Sequence, residues 1–383
     1  MSGTLELRGM VDVSATDGIG AGGKVNLMSP MTDILGTIQA NGFSEGGKIT
    51  LTGHKMLWAG QIHADATEGD GGVISIQLTE RGIQTDLAKG TTFGGQHGNG
   101  GTIRLQTRFP QNPEPGTRNP ESGFFLSGSL IASASHLGHK GGHISLLGDR
   151  LDLVDAHLEA SGPTGGGIIE LGKQVSTTCI SGWVTLNPSS QLLADAVTDG
   201  NGGNVQVWSE KETICTALIS AQGGKQGGKG GLVEVSSRNG VSLSGEVNVK
   251  AQSGTNGKFL LDPKNIVVDN ATGVFPQFTL VDPNPGGTSA SLFVQALSNG
   301  NLVVSKPGDN FAASNSGAVY LYNGLTGALI SALRGSSAND QVGNGVAQPL
   351  SNGNFVIRSS SWANGGAATW GSASTGVNGA VSA

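Results

Sequence analysis

Eight times between residues 22 and 235 a glycine pair is followed by an apolar–polar–apolar triplet. GGKVNL begins at Gly22, GGKITL at Gly46, GGVISI at Gly71 and GGTIRL at Gly100; GGHISL, GGIIEL, GGNVQV and GGLVEV follow at Gly141, Gly166, Gly202 and Gly230. Successive second glycines are 24, 25, 29, 41, 25, 36 and 28 residues apart, so a unit of about 25 residues takes occasional insertions. A repeat of this length signals a solenoid, in which no unit can bury its apolar face alone. Inside each unit the apolar residues alternate, as in Val25/Leu27 or Ile103/Leu105. That is the period of a strand and not of a helix.

A second column reinforces the first. GTIQA at Gly36, GQIHA at Gly60, GSLIA at Gly128 and GEVNV at Gly245 are joined by looser copies at Ala156, Ser190 and Ala217. They align Ile38, Ile62, Leu130, Leu158, Leu192, Ile219 and Val247 at one apolar position, with Ala40, Ala64, Ala132, Ala160, Ala194 and Ala221 just beyond. Fainter third strands show at Leu151–Leu153 and Val241–Leu243. Three strands per unit predict a three-sided parallel β-helix, all-β, over residues 1–262. Stacked at ~4.8 Å per coil, like residues form ladders, and about ten coils would make a stalk of roughly 40–50 Å. The glycine pairs are expected at corners needing positive φ, and the alanines where the cross-section is thin.

Two segments break the rhythm. Arg108 to Gly123, RFPQNPEPGTRNPESG, is proline-rich and is expected to loop out of the coil, as a surface excursion or a recognition loop. After NGKFLLDPKNIVVD at Asn256, residues 263–290 read as a linker or cap. Residues 291–383 then hold two β-repeats of about 50 residues: LSNGNLVVS at Leu297 returns as LSNGNFVIRS at Leu350, and GAVYLYNGLTG at Gly317 as GAATWGSASTG at Gly366. Four strand-like runs per repeat suit propeller blades, so this part is expected to be a partial, truncated β-propeller-like region.

Residues 200–268 carry, in order, GNGGNVQVW, ALISAQGG, GGLVEVS and GKFLLDPKNI. In combination they resemble the late coils of filamentous-haemagglutinin-type exoproteins, the large adhesins exported by two-partner secretion in Gram-negative bacteria. The looser repeats extend that resemblance over roughly residues 1–268. It implies a right-handed β-helix, export through an outer-membrane β-barrel partner, a secreted or cell-surface location and a role in adhesion. The family's N-terminal secretion domain is not found here. The stretch GDNFAASNSGAVYLYNGLTGALISAL with GSSANDQVGNG resembles integrin-type FG-GAP repeats, without their acidic D-x-D-x-D-G loop.

Composition fits an exported solenoid. Gly accounts for 65 of 383 residues, about 17% against the usual ~7%, yet without the G-X-Y period of collagen. Charged residues are 13% and the net charge is -6, with no Lys/Arg runs to suit nucleic acid or an anionic membrane. No apolar run reaches the ~18 residues of a membrane span. MSGTLELRGMVDVS has neither basic nor hydrophobic signal-peptide regions and reads as strand, so the chain is expected to be a piece of a longer protein.

Catalysis on a β-helix needs carboxylates at one phase of successive units. The outward positions of the second column (Thr37, Gln61, Ser129, His157, Gln191, Leu218, Glu246, then Gln39, His63, Ile131, Glu159, Leu193, Ser220, Asn248) show no such column, and neither does the octet face from Asn26 to Glu234. Asp149, Asp152 and Asp155, like Glu68 and Asp70, read as solvated turn or edge residues. His136, His139 and His143 sit in a glycine-rich turn without a carboxylate partner, and GGKQGGKGG at Gly223 lacks the ending of a phosphate loop. No cofactor or metal is expected. Cys179 and Cys215 each lie twelve residues after a second glycine, so they should stack in neighbouring coils, as a disulfide or as two buried thiols. The resulting expectation is a non-enzymatic, exported adhesive solenoid that meets a surface glycan or protein receptor. A carbohydrate-active β-helix enzyme and a passive spacer displaying the C-terminal repeats remain the alternatives.

Overall fold

Each coil is pinched shut by one hydrogen bond. The N–H of the second glycine donates to the carbonyl of the residue just after the short strand before it: Gly47 to Ala40, Gly72 to Ala64 and Gly203 to Ala194, each at 2.7 Å. This ties the corner loop across its own coil. Positive φ is not the reason for the glycines, because none of the eight pairs adopts it. Close stacking is. A Cβ on Gly46 would lie 2.2 Å from the carbonyl oxygen of Ala64, and one on Gly47 2.2 Å from that of Gly23. No side chain fits where two coils pass backbone on backbone.

A computed structural model of the chain describes residues 3–15, 18–107, 121–173, 180–263, 280–285 and 292–381. Its first part is a parallel β-helix of nine coils whose strands form three nine-stranded sheets. Face A runs from Thr4–Leu7 to Gly240–Leu243, face B from Met10–Asp12 to Glu246–Asn248, and face C from Lys24–Met28 to Lys258–Pro263. The chain visits A, B and C in turn, and every neighbouring pair within a face is parallel. Register follows the sequence repeat: Ile49, Ile74, Ile103, Ile144, Ile169, Val205 and Val233 form one ladder on face C. The inward ladders of the three faces meet in one continuous buried core.

Coil 4 departs from the pattern. Its inward residues on faces A and B are Gly82, Gln84 and Gly90; Gly82 is in register with Met56 and Phe124, and Gly90 with Ile62 and Leu130. A Cβ at Gly82 would meet the Phe124 ring at 2.6 Å, and one at Gly90 the Trp58 ring at 2.8 Å. Two glycines in one coil thus leave room for the aromatic rings of the coils on either side. The rung Lys89–Thr91, which the repeat pattern misses, is hidden by this exchange of volume.

The C-terminal repeats build two small sheets. The first repeat is an antiparallel meander of Phe293–Ala296, Leu302–Lys306, Ala318–Tyr322 and Leu329–Arg334. The second supplies Gln348–Pro349, Phe355–Ser359 and Ala367–Gly371, but its last strand, Gly379–Ala380, crosses to pair with Leu329–Arg334. One face of the first sheet packs on the second through Val319, Leu321, Ile330, Leu333, Phe355 and Ile357.

Its other face packs on the β-helix. Outward residues of face A (Met31, Leu57, Ile83, Phe125) and Val154 form a buried cluster with Phe311, Ala318, Tyr320, Tyr322, Leu329 and Ala332. The run AVYLY is therefore apolar throughout because both of its sides are covered. Buried ion pairs lie in this seam, Arg334 with Asp33 across it and Arg81 with Asp152 along face A. Residues 280–285, part of the expected linker, lie in the seam, where the Pro283 carbonyl accepts from Arg81 Nε at 2.9 Å.

Candidate functional site

With face A occupied by the repeats, the outward side chains of faces B and C are the surface available to a partner. Their spacing is held by a polar ladder at the corner between them. Asn41 Oδ1 accepts from Asp65 N–H, Asp65 Oδ1 from Phe93 N–H, Ser161 Oγ from Asp195 N–H and Asp195 Oδ1 from Gln222 N–H, at 2.6 to 3.2 Å. Short Asn, Asp and Ser side chains recur after the corner alanines because each caps a backbone amide of the next coil.

Face B carries the two columns that the sequence places outward. In coils 3 to 6 they read Gln61/His63, Lys89/Thr91, Ser129/Ile131 and His157/Glu159. His63 Nδ1 lies 2.7 Å from Thr91 Oγ1, which donates at 2.8 Å to Asp65 Oδ2. Since the hydroxyl gives its hydrogen to Asp65, His63 must donate to it. This is the reverse of a histidine activating a nucleophile. Burial pushes the His63 imidazole below its usual range, with Lys89 acting the same way and Asp65 opposing. His157 Nε2 sits 3.1 Å from Glu159 Oε2 and holds that carboxyl below its usual range.

On face C the register reproduces the outward row read from the sequence. Ser145, Glu170, Gln206 and Glu234 share one ladder, which sets two carboxylates two rungs apart with Gln206 between them. Glu234 is saturated: Trp208 Nε1 and Ser236 Oγ donate to Oε1 at 2.9 Å, and Gln206 Nε2 to Oε2 at 3.1 Å. Lys173 Nζ lies 4.6 Å from the Trp208 ring centroid, a cation–π contact. Glu170 is buried and takes His143 Nε2 at 2.9 Å, so His143 has the carboxylate partner the sequence does not reveal. His136 and His139 do not join them; His136 pairs instead with Ser135.

Other sequence candidates fall as follows. Glu68 and Asp70 are corner residues as read, partnered by His97 and by the Asn99 N–H. Asp152 is not solvated: it is fully buried, with Arg150 Nε at 2.8 Å and Arg81 Nη2 at 3.2 Å, because the repeats cover face A. Asp149 is also buried, and Asp155 is half-buried with φ of 61°. Cys215 is a buried free thiol whose rung neighbours are Leu186 and Leu243. Cys179 lies outside the described residues, and with it the expected pairing; so does the proline-rich insertion from 108 to 120. Lys225 in GGKQGGKGG lines, with Asp195, Gln222 and Lys250, a shallow corner cleft. Among the described residues no group of three or more His, Cys, Asp or Glu is arranged to hold a metal ion, and no helix is long and apolar enough to cross a membrane.

What sequence reasoning missed is the face A seam. Its signal lay in the third strands KMLW and GFFL, which carry apolar residues on both sides.

Comparison with known proteins touches only the repeats. A family model described as a repeat of unknown function (DUF5650) matches residues 296–344 and 349–383. The two matches start in step with Leu297 and Leu350. Neither the curated proteins nor the solved structures offer a match to the chain.

Proposed function

We propose that this chain is a structural or adhesive exoprotein, a stiff scaffold that presents long polar faces to a glycan or protein receptor. One observation carries the reading. Nine in-register coils carry mostly polar outward ladders on faces B and C, broken on face B by Ile131, Leu193 and Leu218, while the apolar stripe on face A is covered by the chain's own repeats. Flat ladders of Gln, His, Lys, Thr and Glu offer repeated hydrogen-bonding groups at ~4.8 Å intervals, suited to an extended ligand. Resemblance to filamentous-haemagglutinin-type exoproteins supports surface display and export by a two-partner β-barrel.

A carbohydrate-active enzyme is the second reading, favoured by Glu170 and Glu234. Two rungs separate their backbones by about 9.6 Å, just beyond the ~6.5–9.5 Å that separates the carboxyl groups of inverting glycosidases. Against it, Glu234 already accepts from three side-chain donors.

Binding of the full chain to immobilised glycans and host-surface proteins, with parallel assay of released reducing and unsaturated ends, separates the readings. Retention without turnover is expected. Turnover abolished by Glu170→Gln or Glu234→Gln would establish the enzyme instead, and no retention with no turnover would leave a spacer.

A further inference from the structure

The first repeat buries a lysine among carboxylates in an arrangement that presentation of a surface does not require. Lys306 ends the strand Leu302–Lys306 and is 3% exposed; Asp309, in the turn that follows, is fully buried. Lys306 Nζ lies 2.7 Å from Asp282 Oδ2 and 3.5 Å from Asp309 Oδ2, and donates to the Asn284 carbonyl. Asp309 is fixed from three sides, by Tyr320 OH at 2.9 Å, Phe311 N–H at 2.8 Å and Asn284 Nδ2 at 3.0 Å. Phe311, Tyr320 and Tyr322 are buried there too.

One ammonium faces two carboxylates, Asp309 buried beside it and Asp282 at the edge of the site, open to solvent. Burial pushes the Asp309 carboxyl up, with the Lys306 charge opposing. Passing the lysine proton to Asp309 removes two buried charges at once and leaves an amine beside a carboxylic acid. Desolvation of this kind is how a lysine becomes a nucleophile.

We propose that Lys306 and Asp282 condense into an intramolecular isopeptide bond, with Asp309 as the proton-transfer residue. Asp309 takes a proton from Nζ, and the amine so formed attacks Cγ of Asp282. That proton and a second one from the nitrogen pass through Asp309 to the departing oxygen, which leaves as water. The Nζ–Cγ bond forms, the Cγ–O bond breaks and one water leaves; no electrons are exchanged and no co-reactant is needed. Asp282 is 43% exposed, which gives that water a way out. The product fastens the segment lying in the face A seam to the repeat sheet and closes a covalent ring across 24 positions of sequence.

Intact-mass spectrometry of the denatured full chain, followed by peptide mapping, tests this directly. Wild-type protein is expected to be lighter than its sequence by one water and to give a branched peptide joining Asp282 to Lys306. Asp282→Ala and Asp309→Asn are expected to carry their full sequence mass while retaining the circular dichroism of the parent. Should either variant fail to fold, the wild-type mass still decides. Full mass in folded wild-type protein after prolonged incubation at neutral pH overturns the proposal. Loss of ammonia overturns it as well, because the acceptor would then be an asparagine such as Asn284.

Discussion

Phe124 and Phe125 are adjacent and equally hidden, yet their removal should damage different parts of the molecule. Phe124 points inward and fills the space left by Gly82, whereas Phe125 points outward into the seam with the repeats. Truncation of a buried Phe to Ala costs about 3–5 kcal/mol. At about 1.4 kcal/mol per decade, Phe125→Ala should weaken docking of the repeats by roughly two to three and a half orders of magnitude. Phe124→Ala should charge a similar cost to the β-helix. Hydrogen exchange resolves the two. The amides of Asp86 and Leu329 bond across the seam, to the Leu329 carbonyl at 2.8 Å and to Ser127 Oγ at 3.0 Å. Phe125→Ala should speed exchange of peptides containing them and leave faces B and C protected; Phe124→Ala should expose ladder amides of coils 4 to 6. If Phe125→Ala loosens faces B and C as much as the seam, the outward assignment is wrong.

Three further outcomes follow from the same geometry. Burial pushes the Asp86 carboxyl up to about 6, with nearby Asp155 adding to the effect. A carboxyl raised in the docked state favours protonation there, so docking should be weakest above that value and strengthen as pH falls through it, the gain being complete near the ordinary 3.8; Asp86→Asn should flatten the profile of seam exchange against pH. Gly90→Val should collide with the Trp58 ring and lower stability by about 1–3 kcal/mol, and the smaller ring space of Trp58→Leu should recover part of that loss in thermal melts of the double variant. Burial also pushes the Cys215 thiol up to about 11, so folded protein should resist alkylation there and react only on unfolding, which peptide mapping after iodoacetamide treatment would show.

Much of the β-helix was legible because each coil repeats the same demand. Glycine pairs, corner alanines and alternating Ile/Val/Leu residues recur at the positions that the ladders occupy. The reason for the glycines was not legible, since a sequence does not distinguish a positive φ from a backbone contact; the distances at Gly46 and Gly47 do. The face A and B rungs of coil 4 escaped notice because their inward residues are Gly82, Gln84 and Gly90, the glycines' volume being supplied by rings from other coils. Face A was the largest omission. Asp152 reads as a turn residue until the repeats are seen lying over it, and long-range packing of that kind leaves no local period. The pairing of His143 with Glu170 was hidden for the same reason, since it joins residues 27 apart that only the coil register brings together.

Spin-label distances along one ladder test the stacked-coil account most directly. Lys48 and Asn204 stand five rungs apart on face C, and Lys48 and Lys258 seven. At ~4.8 Å per rung, pulsed electron paramagnetic resonance should give narrow distributions centred near ~24 Å and ~34 Å, in the ratio of the rung counts. Broad distributions, or a Lys48–Lys258 distance no longer than the Lys48–Asn204 one, would contradict a single parallel solenoid.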